Sequence, residues 1–143
     1  MLQTIKYSKL SPDSKSPMRK NPTDAGIDFY SNESLCVPAH SMKIVHTGVT
    51  VEIPNGFVLS LKPKSRNNHL IGAGIIDSGY HPGEILVKVA NISNDDMVIG
   101  KGDAIAQGLY LPIETPDLQE VPIEELIHDG NRSGKGGIVD QVK

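Results

Sequence analysis

The chain has a single cysteine, Cys36, among 143 residues, so no disulfide framework can form within it. It has no apolar run long enough to span a bilayer, and Met1 to Leu10 lacks the hydrophobic stretch of a signal peptide. It has no excess of positive charge. Fourteen Lys and Arg against seventeen Asp and Glu give a net charge of −3, which excludes whole-surface attraction to nucleic acid or an anionic membrane. A polyanion would have to be met locally. These absences predict a soluble protein of the cytoplasm or another intracellular compartment, with no nucleic-acid or membrane partner. A chain of 15.4 kDa buries roughly two-thirds of its surface, about 7,200 Å² staying exposed of about 22,000 Å², so a core forms without a metal or disulfide staple.

Fourteen Gly and ten Pro divide the sequence into short Val- and Ile-rich runs, with no long amphipathic stretch between them. This pattern predicts an all-β domain. Val49, Val51 and Ile53 alternate with Thr50 and Glu52, and Ile85, Val87 and Val89 alternate with Glu84, Leu86 and Lys88, the period of a half-buried strand. His46-Thr47-Gly48 and Pro54-Asn55-Gly56 each separate two such runs, which predicts consecutive hairpins. Ile105, Gln107, Leu109 and Leu111 are expected on one strand face, where the Gln107 amide needs a partner. The only helix expected is a turn or two over Pro122 to Ile127, with Pro first and Glu124-Glu125 suited to a helix start.

The composition changes at about Asp129, giving a domain over 1–128 and a glycine-rich basic tail over 129–143. Such a tail is either a frayed terminus or an arm whose glycine N–H groups, with Arg132 and Lys135, wrap an anion. Lys62-Pro63-Lys64-Ser65-Arg66 sets cations at every second residue, which an extended chain projects to one side. It is either a protected edge strand or a phosphate site. Asp24 and Asp28 flank Ala25-Gly26-Ile27, as a turn or as a pair that orders waters or orients a metal ion. Gly72 to Gly83 joins small residues, the apolar pair Ile75-Ile76, and then Asp77 and Tyr80 three apart in a glycine-rich turn. Small residues permit close approach of a planar ligand, and the Asp either accepts a proton from water or bonds its own backbone.

In their order along the chain, five stretches resemble the all-β dUTPase family, the dUTP pyrophosphatases. They are Ala25 to Ser31, Pro63-Lys64-Ser65, Gly72 to Glu84, Gly102 to Gln107 and Arg132 to Gly137. The resemblance implies a distorted jelly-roll or β-barrel of short strands, and a homotrimer in which the 129–143 arm closes over another subunit's site. It implies hydrolysis of dUTP to dUMP and pyrophosphate, with Mg²⁺ on the triphosphate as cofactor. By the same resemblance, Asp77 activates the water that attacks the α-phosphorus, and Tyr80 packs on the deoxyribose so that a 2′-hydroxyl does not fit. A hairpin over Ile71, Gly72, Ala73, Gly74 and Ile76 reads the uracil edge and excludes a 5-methyl group. Lys64, Ser65, the N–H groups of Arg66 and Asn67, and Gln107 hold phosphate oxygens. Asp28 acts on the metal through water, and Arg132 reaches the terminal phosphate.

The sequence also departs from that family. Lys64 stands where Arg is usual, keeping the charge without the bidentate fork. The stretch from Ser65 to Asp77 is shorter, and Pro82 is inserted between His81 and Gly83. Ile138 takes the place of the aromatic ring that closes on uracil, which predicts a raised KM with the chemistry retained. Two other readings share the resemblance: a nucleotide-switched regulator that works by binding a partner protein, and a dCTP deaminase relative. The Asp77-Ser78-Gly79-Tyr80 turn fits the pyrophosphatase better than the deaminase. The five histidines, His40, His46, His69, His81 and His128, lack metal-ligand spacing and are expected to be structural or solvated. Cys36 reads as a small apolar strand residue.

Overall fold

Runs too short and too β-branched for helices pair as strands wherever glycine and proline let the chain turn. The computed structural model describes residues 4–126. Eleven strands form in this span: β1 (Lys6–Lys9), β2 (Gly26–Tyr30), β3 (Leu35–Val37), β4 (Ser41–His46), β5 (Val49–Glu52), β6 (Phe57–Lys62), β7 (Leu70–Ile71), β8 (Gly74–Ile76), β9 (Leu86–Asn91), β10 (Met97–Ile99) and β11 (Ala104–Pro112). The expected helix is a single 3₁₀ turn over Ile123–Glu125, with Pro122 before it. The tail over 129–143, with Arg132 and Ile138, lies outside the described residues.

Four antiparallel sheets result: β2-β11-β6-β8, β4-β9-β7, β1-β5 and β10-β3. The expected strands form, but the expected hairpins do not. β4 pairs with β9 and β5 with β1, so His46-Thr47-Gly48 is a corner between sheets rather than a hairpin loop. Likewise β6 pairs with β11 and β8, not with β5 across Pro54-Asn55-Gly56. Glycine is needed at both corners for its positive φ, +68° at Gly48 and +85° at Gly56. What a positive φ leaves undecided is which sheet the next strand joins.

The sheets enclose one core in which Phe29, Val37, Val45, Ile53, Leu59, Ile85, Val87, Val89 and Ile105 are almost fully buried. Each such side chain contributes about 1.5–3 kcal/mol on leaving water. The period-two assignments hold for Val49, Val51, Val87 and Val89, which face inward, and for Glu52, Leu86 and Lys88, which face outward, but Thr50, expected outward, is buried. In β11 Gln107, Leu109 and Leu111 share a face as expected, but Ile105 does not join them. A register shift between Ala104 and Ala106 breaks the alternation there, so Ile105 is buried while Gln107 stands on the opposite side from Ala106 and Gly108. Cys36 lies in β3 as expected, with its side chain outward.

Candidate active site

Register in the four-stranded sheet sets Asp28 opposite Gln107, and Gln107 opposite Lys62, so three polar side chains form one row on the outer face of β2, β11 and β6. The inner row beside it is Ile27, Gly108, Leu61 and Gly74. An added methyl at Gly26 would lie 2.2 Å from the Gln107 Oε1, so a larger residue there displaces the Gln107 amide. Gln107 Nε2 donates to the Pro63 carbonyl at 3.0 Å, which supplies the partner that its position demands.

β6 ends at Lys62, and the chain then turns instead of running on extended. Asn67 N–H donates to Lys64 O at 3.2 Å, so Lys62, Lys64 and Arg66 do not align on one side. Lys64 folds over Asp28, its Nζ 2.6 Å from Oδ1, with both side chains largely shielded. These two residues, with Lys20, Asp24, Gly26 and Gln107, line a recess of about 320 Å³. The sequence separation of 36 residues between Lys64 and Asp28 hid this pair, and nothing in the spacing marked Lys20 as its neighbour. Arg66 and Asn67 instead line a second cleft, of about 450 Å³, with His69, Asp103 and Ala104. Asn67 Nδ2 donates to Ala104 O at 3.2 Å, and buried His69 sets Nε2 3.2 Å from Ile105 O. His69 is therefore structural, tying the turn to β11.

The expected base-reading hairpin is not one. β7 pairs with β9 and β8 with β6, so Ile71 to Ile76 crosses between two sheets. Gly72 N–H is spent on Lys88 O at 2.9 Å. Gly74 packs on Leu61, whose Cδ1 would lie 2.9 Å from an added methyl, so its smallness has a structural use. Ile71 is half-buried, Ile76 buried, and Ile75 between them 60% exposed.

Directly after Ile76 the chain leaves the sheet through Asp77, Ser78, Gly79 and Tyr80. Tyr80 N–H donates to Asp77 O at 3.2 Å, Gly79 takes a φ of +83°, and Gly83 N–H donates to Tyr80 O at 2.9 Å. His81-Pro82 is a cis peptide. The Tyr80 ring lies over Gly83, where an added methyl would meet Cζ at 2.8 Å, and its hydroxyl donates to the Glu84 carbonyl at 2.6 Å. Asp77 is exposed, and among the described residues its carboxylate has no hydrogen-bond partner. Neither Asp77 nor Tyr80 lines the recess around Lys64.

The arrangement is an all-β jelly-roll-like protein carrying a free carboxylate beside a fixed aromatic ring, and elsewhere a recess lined by two lysines, two aspartates and an amide. That is the equipment of a nucleotide hydrolase. The family model for dUTPase matches residues 13–138, and the chain belongs to the dUTPase family. It is 35% identical to the deoxyuridine 5′-triphosphate nucleotidohydrolase of Candida albicans, over 94% of this chain and 86% of that one. It is 34% identical to the corresponding protein of Paramecium bursaria Chlorella virus 1, over 96% of this chain and all of that one. Among solved structures, the dUTPase of Staphylococcus bacteriophage 80alpha with dUpNHpp superposes with a TM-score of 0.84 at 27% identity, covering 96% of this chain and all of that one. A variant dUTPase from phage phi11 of S. aureus, described for the coordination of a structural Mg(II) ion, gives 0.80 at 27% identity, covering 87% and 100%.

Proposed function

We propose that this chain hydrolyses dUTP to dUMP and pyrophosphate with Asp77 as the base. The observation that carries the reading is the Asp77 to Tyr80 turn, where a carboxylate with no competing partner stands beside a ring held by Gly83 and Glu84. Asp77 takes a proton from the water that attacks the α-phosphorus, a role that needs only hydrogen-bond reach and a free lone pair. Tyr80 packs against C2′ of the sugar and leaves no room for a hydroxyl. Ser65 Oγ and Arg66 N–H, both without a hydrogen-bond partner among the described residues, donate to phosphate oxygens, with Lys64 and Gln107 beside them.

Among the described residues no three His, Cys, Asp or Glu side chains gather to hold a metal, and Asp28 is already paired with Lys64. These donors fit a Mg²⁺ carried by the triphosphate, with Asp28 meeting its waters, better than a protein cage. Bound there, the ion would neutralise developing charge on the phosphates. Asp77 and the Lys64 recess are not neighbours in one cavity, and Ile75, Ile92, Val98 and Leu118 are strongly exposed. Both observations support a homotrimer whose sites are shared, completed by the tail of a neighbouring copy with Arg132 and Ile138. Among the described residues no helix is long and apolar enough to cross a membrane.

Pyrophosphate release is expected from dUTP with magnesium, and not from dTTP, dCTP or UTP at the same concentration. Silence with dUTP from a folded protein that binds it overturns the reading. Lys64→Met leaves the Asp28 carboxylate uncompensated beside the phosphates. It should raise KM for dUTP roughly tenfold with a smaller change in kcat, Lys64→Arg restoring most of the loss. Equal falls in kcat and kcat/KM in steady-state kinetics would instead give Lys64 a role confined to the transition state.

A further inference from the structure

The turn that carries Asp77 and Tyr80 is fastened at its far end by a side chain that no part of the reaction uses. Glu84 accepts a hydrogen bond from Tyr80 Oη on its backbone carbonyl, at 2.6 Å. Its carboxylate reaches the corner between β4 and β5, where Oε2 accepts from Gly48 N–H and Oε1 meets His46 Nδ1, both at 2.9 Å. The corner itself is rigid: Thr47 Oγ1 donates to Ile85 O at 2.6 Å, and Gly48 is closed in by Ser14 and Asn32. The Glu84 carboxylate thus ties a loop carrying the sugar-facing ring to a fixed part of the second sheet.

We infer that Glu84 is a positioning residue for Tyr80, and that His46 makes the strength of this positioning depend on pH. The inference rests on the assignment of Tyr80 to the sugar. The groups around His46 are few. Glu84 faces it directly, Glu33 adds its charge, Leu86 lies opposite on β9, and Lys88 stands one step along, opposite Ile44. The hydrogen bond and charge of Glu84 raise His46 above its ordinary value of 6.5, with Glu33 adding to the effect and burial opposing it. A group raised on folding contributes its full stabilisation below its unfolded value and loses it as pH climbs through the folded one. The clamp is therefore tight in mild acid and slack in mild alkali. Tyr80 should exclude the 2′-hydroxyl better at the acid end.

The test is the ratio of kcat/KM for dUTP to that for UTP, from about pH 5.5 to about pH 8.5, either side of the usual histidine range. Protonation of the triphosphate affects both nucleotides alike and cancels in the ratio. The wild-type ratio should fall about two- to fivefold across the range, the scale of an exposed ion pair. His46→Gln, at an exposed position, should hold the ratio flat at the alkaline value. Tyr80→Phe, which lacks the hydroxyl that Glu84 accepts, should also flatten it. Glu84→Gln should behave as His46→Gln does, and if it fails to fold the histidine variant still decides. A wild-type ratio that does not vary with pH, or a His46→Gln ratio that varies as the wild type does, overturns the inference. If Tyr80→Ala leaves the ratio unchanged, the assignment of Tyr80 to the sugar has failed, a separate result.

Discussion

Asp77→Asn lowers kcat for dUTP by about 10²- to 10⁴-fold, the usual contribution of a positioned general base. The asparagine keeps the size of the side chain and a hydrogen-bonding oxygen but cannot take the proton of the attacking water. The fold has no reason to object. Asp77 is exposed, its backbone carbonyl rather than its carboxylate holds the turn to Tyr80, and the carboxylate has no partner among the described residues. Thermal stability should therefore stay within the small range of surface substitutions. Binding of a non-hydrolysable dUTP analogue, measured by calorimetry, should change little, because an interaction made only in the transition state lowers kcat and kcat/KM together. Turnover within tenfold of wild type would mean that the base lies elsewhere. Loss of analogue binding with loss of turnover would make Asp77 a binding residue instead.

The turn that bears Asp77 and Tyr80 was legible because it is local: both residues, the glycine that turns the chain and the strand before it fall within a few positions. The strands at Val49 and Val51 and at Val87 and Val89 were legible for the same reason, since alternation is a property of neighbours. What failed was everything decided by distance. Gly48 and Gly56 do take the positive φ of turn residues, yet the strands they join enter different sheets, because closing one core between four sheets requires crossovers that no local pattern announces. Ile105 was assigned to the face of Gln107 by counting in twos, and one irregularity between Ala104 and Ala106 broke the count. The Lys64–Asp28 and Glu84–His46 pairs join residues 36 and 38 positions apart. Lys62, Lys64 and Arg66 were expected on one side of an extended run, whereas the turn at Asn67 sends Lys64 across to a carboxylate on β2. The polar row Asp28, Gln107 and Lys62 emerges only from register.

Gly108→Ala should destabilise the protein by about 1–3 kcal/mol, although alanine is the better strand residue by propensity. Gly108 faces the core opposite Ile27 and Leu61. Its added methyl would lie 2.7 Å from Leu59 Cδ1 and 3.1 Å from Phe29 Cε2. Neither neighbour can swing into solvent, since Leu59 is 0% and Phe29 1% exposed. The small entropic gain from removing a glycine is outweighed by overpacking. Leu59→Ala alone costs about 2–5 kcal/mol, through lost burial and the cavity left behind. In the double variant the alanine methyl enters the space that the leucine vacates. The combined loss should fall short of the two single losses added together by about 1 kcal/mol or more. Urea unfolding at fixed protein concentration measures this as shifts in midpoint at constant slope. Strict additivity would mean that β11 has moved as a whole to relieve the clash. In that case Gln107, one residue away, would leave the Pro63 carbonyl, and the Gly108→Ala enzyme would show a raised KM for dUTP as well as a lower midpoint.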